Sequence, residues 1–137
     1  SLPFGQARLM GEPKDAVIIS YGMGVHWGLE EAQRRKEEEG LDIGVLDLRT
    51  LAPLDWDAVY DAAQSAGKVL VLHEDNLTGG IGGELTARIQ EVCFEHLDAP
   101  VKRVASLDTP VPFAANLEDD YLAKADLSSA LDSLLSY

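Results

Sequence analysis

The chain has 137 residues and a formal net charge of −13, from 11 basic and 24 acidic side chains. This length suits a single domain, and the hydrophobic content of 46% is too high for a disordered chain. An acidic surface repels phosphate, which argues against nucleic acid as a partner and is compatible with a basic protein. No apolar run approaches the roughly 20 residues of a membrane helix, so no membrane partner is expected. Cys93 is the only cysteine, which excludes an internal disulfide and predicts a reducing, cytoplasmic location.

Short runs of β-type residues alternate along the chain with longer stretches of helical periodicity. We predict strands at residues 7–10, 16–21, 43–48, 69–72 and 101–105. We predict helices at residues 24–39, 82–96 and 126–135, and one more that Asp55 caps and Gly67 ends. Alternation with short connections implies right-handed crossovers and a mainly parallel sheet.

Two loops are candidates for the functional edge of this sheet. In parallel sheets, ligands and functional loops gather at the carboxyl ends of the strands, where the strand order reverses. One candidate is Gly22-Met23-Gly24, which follows the first central strand. The other, residues 73–76, follows the most apolar strand of the chain.

A glycine cluster lies just beyond the second loop, at Gly79, Gly80, Gly82 and Gly83. Glycines at a helix start can cradle a phosphate, because they let backbone N–H groups approach an anion. Here the cluster follows a late strand, lacks the lysine and hydroxyl residue of a phosphate loop, and has acidic neighbours. We therefore favour a turn that lets the strand lead into a helix or lets another subunit approach closely.

The segment His73-Glu74-Asp75 could carry acid–base or metal chemistry at this edge. Adjacent side chains of an extended segment point to opposite sides, however, so the three cannot all converge. The other histidines, His26 and His96, are predicted on different helices. Structural hydrogen bonding or an interface role is the favoured interpretation.

Two further residues have a possible functional role that we consider the weaker interpretation. His26 lies in the first turn of the first helix, beside Trp27, where burial at an interface is favoured over substrate contact. Cys93 takes an inward helical position and is interpreted as a small buried apolar residue, not a nucleophile.

The first helix is predicted to be amphipathic, with an apolar face opposite a charged one. Val25, Leu29 and Ala32 form the apolar face, and Glu30, Glu31, Arg34, Arg35 and Glu38 form the charged one. Residues 34–39 are thus predicted to be solvated. In the last helix, Ser128, Ser129 and Ser133 are predicted at surface positions with no basic neighbour.

Five segments, in the same order, resemble one enzyme family. They read ISYGMGVH (19–26), DLRTLAPLD (47–55), HED with the glycine cluster (73–83), APVKRV (99–104) and DTPVPF (108–113). Together they resemble the C-terminal domain of the β subunit of thiamine-diphosphate-dependent 2-oxo-acid dehydrogenases, which act on pyruvate, branched-chain 2-oxo acids or acetoin. The style of the last two segments favours the branched-chain type.

The resemblance implies a three-layer α/β/α fold of the transketolase C-terminal type. Its five-stranded sheet would be mainly parallel, with residues 7–10 as one antiparallel edge strand. Residues 1–137 would form one domain of a longer chain, in agreement with a first residue other than methionine. The complete enzyme would decarboxylate a 2-oxo acid oxidatively and transfer the acyl group to lipoamide. Thiamine diphosphate and magnesium would bind to other domains, so that this domain alone would be inactive.

The resemblance also implies that the domain serves assembly. Its partners would be the β-type domain of a second subunit, an α subunit, and the basic peripheral subunit-binding domain of the acyltransferase core. The implied subunit interface contains Gly22, Met23, His26, His73, Glu74, Asp75, Gly79 and Gly80. The implied contact with the acyltransferase core contains Asp98 and the terminal carboxylate of Tyr137. An equally open interpretation is that Asp98 only caps a turn.

Arg49 follows a predicted strand end within the second motif. We expect its side chain to be buried in an ion pair with a carboxylate such as Asp47 or Asp55.

Two other functions stay open at this point. Transketolase or deoxyxylulose-phosphate synthase would share the domain, but would place basic or histidine side chains at the strand ends for a sugar phosphate. A stand-alone α/β module could instead bind a small anion through the glycine cluster.

Overall fold

The computed structural model describes residues 5–73, 81–105 and 117–137. Its strands are β1 (Arg8–Met10), β2 (Ala16–Ser20), β3 (Ile43–Asp47), β4 (Val69–His73) and β5 (Lys102–Ala105). Its α-helices are α1 (Met23–Glu39), α2 (Trp56–Ala66), α3 (Ile81–Cys93) and α4 (Leu117–Leu135), and a 3₁₀ turn spans Phe94–His96.

The five strands form one sheet in the order β1-β3-β2-β4-β5. β1 pairs antiparallel with β3, and the other three pairs are parallel. The predicted mainly parallel sheet with an antiparallel edge strand is therefore confirmed. The order reverses between β2 and β4, whose register aligns Val17 with Val69 and Ile19 with Val71. The loops that follow these two strands are thus neighbours at the carboxyl edge of the sheet.

Helices cover both faces of the sheet, which gives the expected three layers. Alternate side chains of β2 point to opposite faces, so Ile18 joins one core and Val17 joins the other. The first core includes Leu131 and other apolar residues of α4, whereas the second includes Ile89 of α3. Every residue of β2 and β4 is buried, as their near-continuous apolar sequences predict.

Two helix ends follow from local chemistry as predicted. Asp55 caps α2, because its Oδ1 accepts a hydrogen bond from the N–H of Ala58 at 3.2 Å. Its Oδ2 accepts a second bond from the N–H of Ala7 at 2.9 Å, which ties the N-terminal segment to α2. Gly67 ends α2 in the left-handed conformation, with φ of 72°.

Two predicted boundaries were wrong. α4 begins at Leu117, not at residue 126, because good helix formers extend it beyond the apolar repeat from which we placed its start. α3 ends at Cys93 and tightens into the 3₁₀ turn, where the N–H of Leu97 bonds to the carbonyl of Phe94 at 3.2 Å. Within the described part of the chain, none of the helices is both long enough and apolar enough to cross a membrane.

Candidate functional site

The β2–α1 loop is fixed against the end of β4 at the carboxyl edge. The Ser20 hydroxyl donates a buried hydrogen bond to the Leu72 carbonyl at 2.6 Å. Gly24 packs so closely on Ser20 that a Cβ at this position would collide with the Ser20 hydroxyl. Gly22 adopts φ of 60° and accepts a hydrogen bond from the N–H of Val25 at 3.1 Å, which starts α1. Position 22 thus requires glycine for the turn, and position 24 requires it for the close approach of α1 to Ser20.

His73 is enclosed at the same edge, with only 3% of its surface exposed. The start of α3 lies directly on the imidazole, since a Cβ at Gly82 would lie 2.7 Å from His73 Cδ2. A histidine covered in this way is not accessible to a substrate as an acid or base. Its burial agrees with the structural role that we favoured.

The exposed part of this edge is formed by the start of α1. Met23 is 49% exposed, and His26 is exposed as well. The structure therefore brings Gly22, Met23 and His26 to the edge at which His73 is buried. Of the predicted interface residues, the other four (Glu74, Asp75, Gly79 and Gly80) lie outside the described residues.

Asp98 and Tyr137 lie at a different place, because they are bonded to Gly67 and Lys68, two consecutive residues where α2 leads into β4. The N–H of Asp98 donates to the carbonyl of Gly67 at 2.8 Å, and its carboxylate occupies the space where a Cβ of Gly67 would lie. The next residue, Lys68, donates from Nζ to the main-chain oxygen of Tyr137, the last residue, at 2.9 Å and to the carbonyl of Leu135 at 3.3 Å. Asp98 and Tyr137 are both exposed, so one surface corner presents both.

The charged face of α1 was predicted to be solvated, and this was wrong for Glu31 and Arg35. They are 8% and 3% exposed. Arg35 Nε donates to Glu31 Oε2 at 2.8 Å, and its Nη1 lies 2.7 Å from Asp132 Oδ1 on α4. The physical reason is that α4 packs over this face and supplies the partners that make burial of the guanidinium tolerable.

Ser128 also departs from its predicted surroundings, because two basic side chains contact it. Arg34 Nη2 lies 3.1 Å from the Ser128 hydroxyl, and Arg35 Nη2 donates to the Ser128 carbonyl at 3.0 Å. No local sequence pattern indicates this contact. Gly24 and Gly28 lie on the same helix face as Glu31 and Arg35, but they pack on Ser20 and Ile18 of the sheet.

Opposing effects shift the pKa of the Glu31 carboxyl. Burial raises its pKa, but hydrogen bonds from Arg34 and Arg35, together with their positive charges, outweigh burial and lower the pKa below its ordinary value. The pair is thus held in its charged form, which suits a structural tie between α1 and α4 and not a proton donor.

Arg49 does not form the buried ion pair that we predicted. Its side chain is exposed, and its backbone takes φ of 64°. The N–H of Arg49 donates to Asp47 Oδ1 at 3.0 Å, while the Asp55 carboxylate is engaged at the start of α2. The loop is therefore fixed by backbone hydrogen bonding and not by the guanidinium.

Cys93 lies in the core with no measurable exposure, as predicted. Burial raises the pKa of its thiol, which opposes formation of the nucleophilic thiolate. Among residues 5–73, 81–105 and 117–137, no three His, Cys, Asp or Glu side chains are grouped in a way that could hold a metal ion.

Comparisons with known proteins agree with the fold and with the motifs. The family pattern described as "Transketolase, C-terminal domain" matches residues 5–126. The "2-oxoisovalerate dehydrogenase subunit beta" of Bacillus subtilis (strain 168) is 42% identical over 126 residues, which are 91% of this chain and 38% of that protein. The "Pyruvate dehydrogenase E1 component subunit beta" of Rhizobium meliloti (strain 1021) is 33% identical over 133 residues, or 97% of this chain and 28% of that protein.

A solved structure described as "Split gene transketolase, inactive beta4 tetramer" resembles the fold with a TM-score of 0.75. It is 28% identical and covers 98% of this chain, which corresponds to 42% of that chain. The present chain thus spans less than half the length of these relatives. The similarity inferred from the five motifs is confirmed, and the chain belongs to the transketolase C-terminal domain family.

Proposed function

We propose that residues 1–137 are the C-terminal domain of the β subunit, or of a fused chain, of a thiamine-diphosphate-dependent 2-oxo-acid dehydrogenase. The observation that carries this proposal is the 42% identity to a 2-oxoisovalerate dehydrogenase β subunit across nearly the whole chain. The reaction of the complete cytoplasmic enzyme is oxidative decarboxylation of a 2-oxo acid, in the branched-chain class, with acyl transfer to lipoamide. The domain's own task is assembly.

Association with a second β subunit is assigned to the carboxyl edge. Met23 and His26 expose side chains there, on a helix start fixed by the Ser20–Leu72 hydrogen bond. Glu74, Asp75, Gly79 and Gly80 follow His73 in sequence and complete the proposed interface. The solved relative described as a beta4 tetramer supports self-association through subunits of this type.

Binding of the acyltransferase core is assigned to the corner formed by Gly67 and Lys68. Asp98 offers an exposed carboxylate and is bonded to Gly67, and the next residue, Lys68, binds the end of the chain at Tyr137. The partner is the basic peripheral subunit-binding domain, whose approach the chain's charge of −13 favours. The alternative is that Asp98 only caps this turn, and its backbone bond and the packing of its carboxylate on Gly67 agree with that role as well.

The cofactor belongs to the complete enzyme in this proposal. Thiamine diphosphate, when bound, supplies the electron sink for decarboxylation. The described residues of the carboxyl edge do not fit the diphosphate and magnesium, because His73 is enclosed and the described acids form no metal-binding group. Following the family resemblance, we assign the pyrimidine half to a preceding domain and the diphosphate and magnesium to an α subunit.

The proposal is tested first by the intact mass of the native gene product and by titration with thiamine diphosphate. The native product and the isolated 137-residue chain are titrated in parallel. We expect the native chain to be much longer than 137 residues. We also expect thiamine diphosphate to bind only to the complete chain, alone or with an α subunit, and not to the isolated 137-residue chain. A native product no longer than this chain, active without any partner, would contradict the proposal.

The assembly interface is tested by placing a charge on it. Met23→Glu is expected to shift the native protein to a smaller oligomer in analytical ultracentrifugation, because an uncompensated carboxylate at an interface is costly. Leu9→Glu is the matched control, since Leu9 is 44% exposed on the edge strand β1. If both variants have the same oligomeric state, Met23 is not part of the interface.

A further inference from the structure

The end of α3 and the connection that follows it expose two large apolar side chains. Phe94 is 75% exposed and Val92 is 50% exposed. Three exposed acids, Glu91, Glu95 and Asp98, lie in the same stretch of eight residues. We call these five residues the Phe94 patch.

The patch is rigid, because its backbone is fixed on both sides of Phe94. Cys93 is fully buried, and Leu97 packs against the same core. The N–H of Leu97 bonds to the carbonyl of Phe94 at 3.2 Å, and the N–H of Asp98 bonds to Gly67 at 2.8 Å. The backbone turn that carries the exposed Phe94 side chain is thus anchored, which lowers the cost of ordering it on binding.

The charge of the patch defines the kind of partner that it fits. Two bases near this stretch in the fold, Arg88 and Lys68, are engaged with other groups. The Arg88 guanidinium lies 4.3 Å from the Trp56 ring centroid and 3.4 Å from Glu84 Oε1, and Lys68 donates to the carbonyls at the end of α4. The three acids of this stretch are therefore not paired with these two bases, and a basic surface is the complementary partner.

We propose that Phe94 is the apolar anchor of the surface on which Asp98 receives a basic domain. The partner packs an apolar side chain on the Phe94 ring and places its basic side chains over the surrounding carboxylates. The inference rests on the proposed acyltransferase-binding function and adds to it a residue that supplies affinity. Buried aromatic anchors of this kind dominate the energetics of many interfaces.

The test measures binding of a purified peripheral subunit-binding domain, from the acyltransferase of the same organism, to the native protein and to Phe94→Ala, Asp98→Asn and Leu9→Ala. Titration calorimetry is run at about 0.1 M and about 1 M salt, because screening separates charge contacts from apolar ones. We expect Phe94→Ala to weaken binding about tenfold at both salt concentrations. Asp98→Asn should weaken it mainly at the lower one, and Leu9→Ala should change nothing.

The outcomes separate the two proposals. If Asp98→Asn weakens binding and Phe94→Ala does not, Phe94 is not an anchor, but the proposed binding of the acyltransferase core at Asp98 stands. If the wild-type protein does not bind the domain at all, both are overturned. If Phe94→Ala instead changes the oligomeric state of the protein, the patch is a contact between copies and the inference is wrong. Phe94→Leu should retain most of the affinity, because it keeps an apolar side chain.

Discussion

Arg35 on α1 and Asp132 on α4 are joined by an ion pair of 2.7 Å, although the Arg35 side chain is only 4% exposed and that of Asp132 is 68% exposed. The guanidinium thus reaches from the interior to the surface of the neighbouring helix. On the inner side it is held by Glu31, and on α4 it also bonds to the Ser128 carbonyl. This group of bonds fixes the helix whose end lies at the proposed acyltransferase-binding corner.

Replacing Arg35 by Leu is expected to destabilise the domain by about 3 kcal/mol. Removing one partner of a buried ion pair leaves the other uncompensated, which costs about 3–5 kcal/mol. We expect the lower value of this range, because Glu31 keeps its ion pair with Arg34 at 2.7 Å. The free energy of unfolding in urea measures the loss.

Lys124→Leu is the matched control for this prediction. Lys124 and Glu30 also join α4 to α1, at 3.1 Å, but both side chains are about half exposed or more. An exposed pair contributes at most about 1 kcal/mol. Similar losses for Arg35→Leu and Lys124→Leu would show that burial of the guanidinium is not what makes the first pair important.

Glu31 should give the stability a specific dependence on pH. Its pKa in the folded protein is lowered from the ordinary value of 4.5, as burial is outweighed by the two arginines. A carboxyl with a lowered folded pKa stabilises fully above its unfolded pKa, and this contribution is lost as the pH falls through the folded value. The difference in unfolding free energy between wild type and Glu31→Gln should therefore shrink below about pH 4.5.

Urea unfolding at a series of acidic pH values measures this difference. Glu37→Gln, an exposed change on the same helix, should follow the wild-type curve throughout. A constant difference between wild type and Glu31→Gln across the acidic range would contradict the assignment.

Gly82 and Gly83 offer a second matched pair, because they are adjacent but meet different neighbours. A Cβ at Gly82 would lie 2.7 Å from the buried His73 ring, which has little room to move. We expect Gly82→Ala to cost about 1–3 kcal/mol, as overpacking does. A Cβ at Gly83 meets only the flexible end of Arg103 at 3.0 Å, so Gly83→Ala should be neutral or gain up to about 1 kcal/mol of helix propensity.

Thermal unfolding of the two variants checks this prediction. A destabilised Gly83→Ala, or a Gly82→Ala that melts with the wild type, would contradict the packing described at the start of α3. The result bears on the glycine cluster, since it separates a glycine required for close packing from one that is replaceable.

Sequence patterns were sufficient for features governed by local chemistry or by apolar periodicity. The buried strands β2 and β4, the Asp55 cap and the stop at Gly67 all depend on residues within a few positions of each other. Glu31 and Arg35 could not be placed in this way, because their burial depends on Asp132 and Ser128 almost a hundred residues further along the chain.

The carboxyl edge of the sheet could be predicted from the sequence, whereas the corner at Gly67 could not. The carboxyl edge follows from strand order, so Gly22 and His73 could be expected there together. The corner at Gly67 depends on how α4 and the α3–β5 connection meet the end of α2. Neither the support of Tyr137 by Lys68 nor the exposure of Phe94 could be read from spacing.

Lys68 should stabilise the last turn of α4, where it donates to the carbonyls of Leu135 and Tyr137. Carbonyls at a helix C-terminus lack partners within the helix, and a cation there is favourable. The N–H of Ser136 bonds to the carbonyl of Asp132 at 3.1 Å, so its hydrogen exchange reports on this turn. Lys68→Met is expected to speed that exchange about fivefold, which corresponds to the roughly 1 kcal/mol of one hydrogen bond. Lys102→Met, an exposed change on β5, should leave the exchange unchanged, and equal rates in Lys68→Met and the wild type would mean that Lys68 does not hold Tyr137 in place.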